Sequence, residues 1–139
     1  MIRLEHANLV VTDVTPTLDF LKAAFPHWRV RGGGDGSWSG KPRKWLHFGD
    51  DETYLALSDN GEGAPRDLTG HAPGLAHLAF EVSNLDGLKA RMAAAGFEIT
   101  NPGAPTEHRR NVYYIDGNNI EYEFVEYLSD NPEEKNRYD

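Results

Sequence analysis

The stretch LEHANLVVTDV, at residues 4–14, occurs a second time in altered form as LAHLAFEVSNL, at residues 75–85. When His6 is aligned with His77, the apolar positions of the two stretches coincide. Both stretches alternate apolar and polar residues, which is typical of a β-strand with one face in the core. A repeat of this length indicates two copies of one folding unit along the chain.

Each copy of the strand is followed by the pattern of an amphipathic helix. In the first copy, Thr15 is the predicted N-cap and Pro16 the first helical residue. In the second copy, Asn84 is the predicted N-cap, and Gly96 is the predicted stop. Apolar residues recur at helical spacing and are predicted to face the core: Val14, Leu18, Leu21 and Phe25 in the first helix, and Leu85, Leu88, Met92 and Ala95 in the second.

Three short strands are predicted after each helix. They span residues 28–30, 45–48 and 53–58 in the first copy, and 97–99, 111–115 and 120–127 in the second. The glycine-rich run at Gly32–Gly36 is predicted to be a hairpin turn, because it lacks the strand-to-helix context of a phosphate-binding loop. The order of elements predicts an α+β fold of two βαβββ modules.

The modules are predicted at residues 1–60 and 75–128. A Gly- and Pro-rich linker at 61–74 joins them, and a polar tail follows at 129–139. Repeat alignment pairs Ala56 with Glu123 and His47 with Tyr114.

Composition excludes several classes of function. The net charge of −8, from 14 basic and 22 acidic residues, argues against binding to nucleic acid or to an anionic membrane. No apolar run is long enough for a membrane span, and the N-terminal residues do not resemble a secretion signal, so we expect a cytoplasmic protein. There are no cysteines. Any metal ion must therefore be held by His, Asp, Glu or other oxygen donors.

Three side chains form a candidate metal site. His6 and His77 occupy equivalent places on the first strands of the two copies. On the last strand, Ile120, Tyr122 and Phe124 should face the helix, which leaves Glu123 on the same open face as the histidines. Either histidine alone would be weak evidence. Two imidazoles and one carboxylate, however, are a set that binds Fe(II), Mn(II), Ni(II) or Zn(II) and leaves positions open for substrate.

The double repeat, the paired histidines and the final glutamate resemble the vicinal oxygen chelate superfamily, which includes glyoxalase I, extradiol dioxygenases, fosfomycin-resistance proteins and bleomycin-binding proteins. The resemblance extends from Leu4 to about Tyr127. It implies two βαβββ modules that form a curved mixed sheet around a metal cleft. It also implies a homodimer and a small-molecule substrate with adjacent oxygens.

The motifs in the sequence indicate the reaction type less closely than they indicate the family. Glyoxalase I has a fourth protein ligand at the position of Ala56, and alanine cannot bind a metal. A glyoxalase I-like lyase or isomerase, which would need Glu52 or Asp59 as this ligand, is therefore the alternative to a dioxygenase-like enzyme. Tyr113, the turn Asp116–Asn119 and Glu123 resemble the dioxygenase motif. This makes Tyr113 and His108 the predicted catalytic proton or hydrogen-bond donors. An acidic segment after Tyr127 disfavours phosphonate chemistry.

A bleomycin-resistance-type protein, which binds a ligand without metal, stays open as a further alternative. Aromatic residues that could line its cleft are Trp38, Trp45, Tyr54, Tyr114 and Tyr127.

Overall fold

Residues 1–138 are described by the structure, a computed structural model, which divides into two compact units at Met1–Pro65 and Arg66–Asp139. Each unit contains a mixed sheet and a helix, which confirms the α+β class and the repeat. Within residues 1–138, no helix is both long and apolar enough to cross a membrane.

The first unit contains five elements: β1 (His6–Val10), α1 (Val14–Ala24), β2 (Arg29–Trp38), β3 (Lys41–Gly49) and β4 (Tyr54–Ser58). Its strands lie in the order β1-β4-β3-β2, with β1 parallel to β4 and the other pairs antiparallel. The core consists of apolar residues from α1 and from strands β1, β3 and β4: Leu9, Phe20, Leu21, Ala24, Phe48, Leu55 and Leu57.

The N-terminus of α1 lies earlier than predicted. Asp13, not Thr15, is the N-cap, and its carboxylate accepts a hydrogen bond of 2.9 Å from the backbone N–H of Thr15. Pro16 therefore occupies the third helical position. Asp13 takes the capping role because its carboxylate reaches a free N–H of the first turn.

The predicted turn at Gly32–Gly36 is wrong, because these glycines lie inside strand β2. The turn consists of Ser39 and Gly40, whose φ angles of 49° and 83° are those of a two-residue hairpin loop. Glycines in β2 permit a close approach to β3 instead. A Cβ atom at Gly33 would lie 2.6 Å from the carbonyl oxygen of Trp45.

The second unit contains β5 (Leu78–Glu81), α2 (Leu85–Ala94), β6 (Arg109–Ile115), β7 (Glu121–Tyr127) and the short helix α3 (Pro132–Lys135). Its strands lie in the order β5-β7-β6, with β5 parallel to β7 and β6 antiparallel to it. Leu85, Leu88 and Met92 of α2 are buried, as predicted, whereas Ala95 is exposed.

Both ends of α2 agree with the sequence. The side chain of Asn84 accepts a hydrogen bond of 3.0 Å from the N–H of Gly87. Gly96 has a φ of 87°, and the N–H groups of Gly96 and Phe97 bond to the carbonyls of Ala93 and Met92. This pair of hydrogen bonds is a Schellman motif, which requires the left-handed conformation that glycine adopts without strain.

One predicted strand is not formed. Residues 97–99 lie outside the sheet, and the only remnant of pairing beside β6 in the described chain is an isolated bridge between Asn101 and Tyr113. The N–H of Phe97 is bonded to the carbonyl of Met92 at the end of α2, and beyond Asn101 pairing stops because Pro102 has no N–H to donate. The second module thus has three strands in its sheet where the first has four.

Sheet register confirms one repeat pairing and corrects another. Asn8 pairs with Ala56, and Ala79, the repeat equivalent of Asn8, pairs with Glu123. Ala56 is therefore the equivalent of Glu123, as predicted. His47 pairs with Ala56 and Tyr113 pairs with Glu123, so His47 corresponds to Tyr113 and not to Tyr114. A shift of one residue matters, because it moves a side chain to the other face of the sheet.

Candidate functional site

Strand β7 places Glu123 on the face of its sheet opposite to the core. Tyr122 and Phe124 are fully buried on the core side, and Glu121 and Glu123, which alternate with them along the strand, face the other side. The strand starts from a tight turn whose carboxylate, Asp116, accepts hydrogen bonds from the N–H groups of Asn118 and Ile120 at 2.8 and 3.0 Å. The hydroxyl of Tyr122 donates to the same carboxylate at 2.9 Å. The turn thus fixes where β7 begins.

Glu123 is a buried carboxylate, 7% exposed, with several partners on its own sheet. Arg109 Nη2 and Asn111 Nδ2, from β6, each donate to Oε1 at 3.0 Å. Tyr113, from the same face of β6, also forms a hydrogen bond with Glu123. A buried charge requires such partners, because each buried polar group without a partner costs about 1–3 kcal/mol, and a charged group costs more.

His77 approaches the other oxygen of this carboxylate. Its Nε2 atom lies 3.2 Å from Glu123 Oε2. On the opposite side of the ring, Nδ1 lies 3.7 Å from Glu121 Oε1, and the ring meets Tyr113 edge-on with centroids 5.4 Å apart. A carboxylate beside Nδ1 orients the imidazole ring and leaves Nε2 as the nitrogen that can bind a metal ion.

Tyr113 keeps its proton in this environment. Its pKa is raised by burial, by the negative charge of Glu123 and by the hydrogen bond with Glu123. The hydroxyl is therefore a hydrogen-bond donor near neutral pH, beside His77 and Glu123. This is the place in which the sequence predicted a catalytic tyrosine, although its catalytic role stays a prediction.

His108 is not brought to this cluster. Along β6, Arg109, Asn111 and Tyr113 share the face of Glu123, and His108 has the opposite parity. Its Nδ1 atom lies 3.0 Å from Glu134 Oε2 of α3. The geometry therefore gives His108 a part in holding the C-terminal helix against the sheet.

His6 lies in a row of stacked rings on the sheet of the first unit. Its ring stacks on Tyr54 at a centroid distance of 4.6 Å, and His47 stacks on Tyr54 at 4.4 Å. Trp45 continues the row at 5.0 Å from His47. Nδ1 of His6 lies 2.8 Å from Glu5 Oε1, so the carboxylate again stands at Nδ1.

Positive charge gathers around the same row. The guanidinium of Arg31 lies 4.4 Å from the centroid of the Tyr54 ring. The pKa of His47 is lowered, first by burial and then by the positive charges of His6, Arg31 and Arg43. Neutral His47 is therefore favoured, and it can stack on an aromatic ring without a charge to solvate.

No carboxylate of the first unit replaces the one missing at Ala56. Glu52 is exposed and pairs with Arg3 at 3.3 Å. Asp59 accepts a hydrogen bond of 2.8 Å from the N–H of Lys44. The alternative of a fourth, glyoxalase I-like ligand from either residue gains no support.

The donor pair in the second unit fits a divalent ion. Ligand atoms about 2.1 Å from a metal and at right angles to each other lie about 3.0 Å apart. The 3.2 Å between His77 Nε2 and Glu123 Oε2 is close to this value. Within either unit taken by itself, residues 1–138 contain no group of three His, Asp or Glu side chains placed to hold a metal ion. The third ligand, His6, stays a prediction.

Sequence reasoning missed Arg109, Asn111 and Glu121. The signal was present, since Arg109 and Asn111 alternate with Tyr113 along β6 and Glu121 alternates with Glu123 along β7. Applying the period of two to β6, and not only to the strands that carry histidines and Glu123, would have found Arg109 and Asn111, whereas the parity of Glu121 was visible on β7 itself.

Known proteins resemble this chain in sequence pattern and in fold. The model of the Glyoxalase/Bleomycin resistance protein/Dioxygenase superfamily matches residues 3–122. A glyoxylase/bleomycin resistance protein/dioxygenase domain from Frankia sp. EAN1pec is 23% identical over 99% of this chain and 99% of that chain, with a TM-score of 0.75. The comparison with curated proteins found no match.

Two further solved structures show the same fold. A glyoxalase family protein from Bacillus cereus is 16% identical over 93% of this chain and 96% of that chain, with a TM-score of 0.73. A mutant of the fosfomycin resistance protein FosX from Listeria monocytogenes, complexed with Mn(II) and 1S,2S-dihydroxypropylphosphonic acid, is 22% identical over 99% of this chain and 100% of that chain, with a TM-score of 0.70.

Proposed function

Since the chain belongs to the glyoxalase/bleomycin resistance protein/dioxygenase superfamily, we propose that it is a divalent-metal-dependent enzyme acting on a small substrate with two adjacent oxygens, by dioxygenase-like chemistry. His77 and Glu123 hold the metal ion in this proposal, and His6 is the third ligand. Fe(II), Mn(II), Ni(II) and Zn(II) all suit two imidazoles and a carboxylate. The Mn(II) found with the related FosX supports a divalent ion.

The observation that carries the proposal is the orientation of the Glu123 carboxylate. Arg109 and Asn111 occupy Oε1, and Oε2 is directed toward Nε2 of His77 at 3.2 Å. One oxygen is thus fixed by the protein and the other is presented together with an imidazole nitrogen. Hydrogen bonds of this kind orient ligands and improve metal affinity by about 10- to 100-fold.

Each side chain around the donor pair has a defined part. When bound, the metal ion would polarise two adjacent substrate oxygens as a Lewis acid. Tyr113 holds its proton, and its hydroxyl would turn from Glu123 toward a substrate oxygen that gains negative charge. Glu121 keeps the His77 ring oriented from its Nδ1 side. No part is assigned to His108.

Metal content tests the proposal. Protein purified without chelator is loaded in turn with Fe(II), Mn(II), Ni(II) and Zn(II), dialysed, and measured by elemental analysis. We expect stoichiometric retention of at least one of these ions, and loss of that ion from His77→Ala and Glu123→Gln. The variant His6→Ala tests the third ligand. His27→Ala is the matched control, because His27 is exposed and outside the site. Absence of every metal from the wild type would overturn the proposal.

Oxygen consumption then tests the reaction class. Uptake of oxygen with a catechol in the metal-loaded protein supports the dioxygenase-like reaction. Turnover of a hemithioacetal without oxygen uptake would favour the glyoxalase I-like alternative, against the evidence of Ala56.

A metal-free binding protein is the second candidate, favoured by the ion pair between Arg109 and Glu123. The guanidinium already balances the buried carboxylate at 3.0 Å, so the site is stable without an added cation. The stacked row of His6, Tyr54, His47 and Trp45 also offers aromatic surface. Of the other aromatics predicted to line a cleft, Tyr114 is buried in the core. A protein that retains no metal but binds an aromatic ligand would establish this function.

A further inference from the structure

The dipeptide Asn60-Gly61 follows strand β4 and is the one Asn-Gly pair in the sequence. An asparagine before glycine is especially prone to spontaneous deamidation, because glycine has no side chain to hinder the approach of its backbone nitrogen to the asparagine side chain. Both residues are partly exposed, so water reaches them. The sequence therefore has a chemically reactive pair directly after the strand that pairs with β1.

Deamidation at this pair would join two atoms of adjacent residues. The backbone nitrogen of Gly61 attacks Cγ of Asn60, the bond from Cγ to Nδ2 breaks, and ammonia leaves with the proton of the Gly61 N–H. The product is a cyclic imide. Water then opens the imide at either of its C–N bonds, which yields aspartate or isoaspartate at position 60. No oxidant, metal ion or enzyme is needed.

The side-chain carbonyl of Asn60 is held by β4. The hydroxyl of Ser58, which is fully buried, donates to Asn60 Oδ1 at 2.6 Å. Arg43 Nη1 donates in turn to the oxygen of this hydroxyl at 3.2 Å. Lys41 Nζ donates to the backbone carbonyl of Asn60, also at 3.2 Å. These contacts restrain the carbonyl group that the attack must reach.

The backbone nitrogen of Gly61 is held by Val11, the residue that follows β1. Its N–H donates to the carbonyl of Val11 at 2.9 Å, and the N–H of Val11 donates to the carbonyl of Ser58 at 2.8 Å. A Cβ atom at Gly61 would lie 2.7 Å from the carbonyl carbon and oxygen of Val11, so the two backbones are in close contact. The nitrogen must lose its proton and turn toward Asn60 to react, so the hydrogen bond to Val11 must break first.

From this geometry we propose that Asn60 is a latent deamidation site, which the fold protects while Gly61 is bonded to Val11 and which reacts when this contact opens. Opening breaks two hydrogen bonds, Gly61 to Val11 and Ser58 to Asn60. At the ordinary net strength of such bonds, the open form is about thirtyfold less populated than in an unprotected chain.

The modification has a structural consequence for β1, the edge strand that contains His6. Isoaspartate adds a carbon atom to the backbone, so Gly61 cannot return to Val11 with the same geometry. The end of β1 then remains without this contact. Deamidated chains thus mark molecules in which this edge of the first sheet has opened.

Peptide mass spectrometry tests the proposal on the metal-free protein, so its outcome does not depend on the proposed function. The folded wild type and the same chain in guanidinium chloride are incubated at mildly alkaline pH, and conversion of Asn60 to aspartate and isoaspartate is followed over time. We expect the folded protein to deamidate at least about tenfold more slowly than the denatured chain. Equal rates would overturn the proposal.

Two variants identify the contact that protects. Ser58→Ala removes the donor to Asn60 Oδ1, and the folded variant should deamidate about fivefold faster than the wild type. If Ser58→Ala does not fold, Lys41→Gln gives the same comparison, because it removes the donor to the backbone carbonyl of Asn60. Asn84→Ala is the matched control, since it removes the N-cap of α2 in the second unit, and its rate should stay within about twofold of the wild type.

Two results would contradict the reasoning. An unchanged or slower reaction in Ser58→Ala would mean that the hydroxyl does not restrain the carbonyl. An equal acceleration in Asn84→Ala would mean that Asn60 reacts only after global unfolding and that the contact with Val11 has no protective part of its own.

Discussion

The hydroxyl of Tyr122 can be removed with almost no change in shape by Tyr122→Phe. This hydroxyl is fully buried and donates to Asp116 Oδ2 at 2.9 Å, and burial together with the Asp116 charge raises the pKa of Tyr122 well above its ordinary value. The hydroxyl is therefore protonated throughout the accessible pH range. Since Asp116 is 6% exposed, water cannot fully replace the lost donor.

A hydrogen bond to a charged group contributes about 1.5–3 kcal/mol to the free energy of unfolding. We expect Tyr122→Phe to lower that free energy by this amount. With a slope of about 2 kcal/mol per molar urea, the midpoint of denaturation falls by about 1 M. Circular dichroism during urea titration measures the change.

Tyr138→Phe is the matched control, because Tyr138 is 93% exposed and its hydroxyl is in water. It should change the midpoint by less than about 0.2 M, consistent with a surface substitution. If Tyr122→Phe lowers the free energy of unfolding by less than about 0.5 kcal/mol, the Asp116 turn is held by its backbone hydrogen bonds alone and the reasoning about β7 fails.

Three other predictions concern α2 and its neighbours. Gly96→Ala should destabilise the protein by about 1–2 kcal/mol in urea titration, because an L-residue is strained at a φ of 87°; no loss would contradict the Schellman assignment. Asn84→Ala removes the N-cap and should cost about 1 kcal/mol, with Asn84→Asp restoring it. Arg110 lowers the pKa of Asp86, so this pair stabilises the fold fully above the unfolded-state pKa of about 3.9, and its contribution is lost as the pH falls from that value through the lower pKa of the folded state. Asp86→Asn should flatten the pH dependence of stability in that acidic range, and an unchanged profile would refute the pairing.

Much of the fold was predictable because the repeat compares the chain with itself. Aligning His6 with His77 predicted both first strands and both helices. The likeness of GDDETYLAL, at residues 49–57, to DGNNIEYEF, at residues 116–124, paired Ala56 with Glu123, and the sheet register confirms this pairing. The errors arose where local composition was ambiguous. Glycines in β2 were interpreted as a turn, although they permit a close approach between strands. The true turn is the dipeptide Ser39-Gly40, which is common in turns but was overlooked beside the longer glycine run.

The site was predictable in part for a similar reason. Strand parity gave the face of Glu123, and it also brought Tyr113 to the same face. His108 was chosen from spacing to a family motif and not from parity, and it lies with Glu134 of α3. Applying strand parity to β6 would have placed Arg109 on the face of Glu123, but the hydrogen bond between them joins two strands, and spacing along one strand does not reveal it.

Residue 56 shows how the two copies of the repeat have diverged. At this position one copy of the unit has a methyl group where the other has a buried carboxylate, yet Arg43 still stands where Arg109 stands beside Glu123. The first copy thus retains the counter-ion of a charge that it does not have. The open face of the second copy thus contains carboxylates, and that of the first copy contains aromatic rings. A carboxylate at position 56, in a variant such as Ala56→Glu, would therefore restore to the first unit the pairing of residue types that Glu123 and Arg109 form in the second.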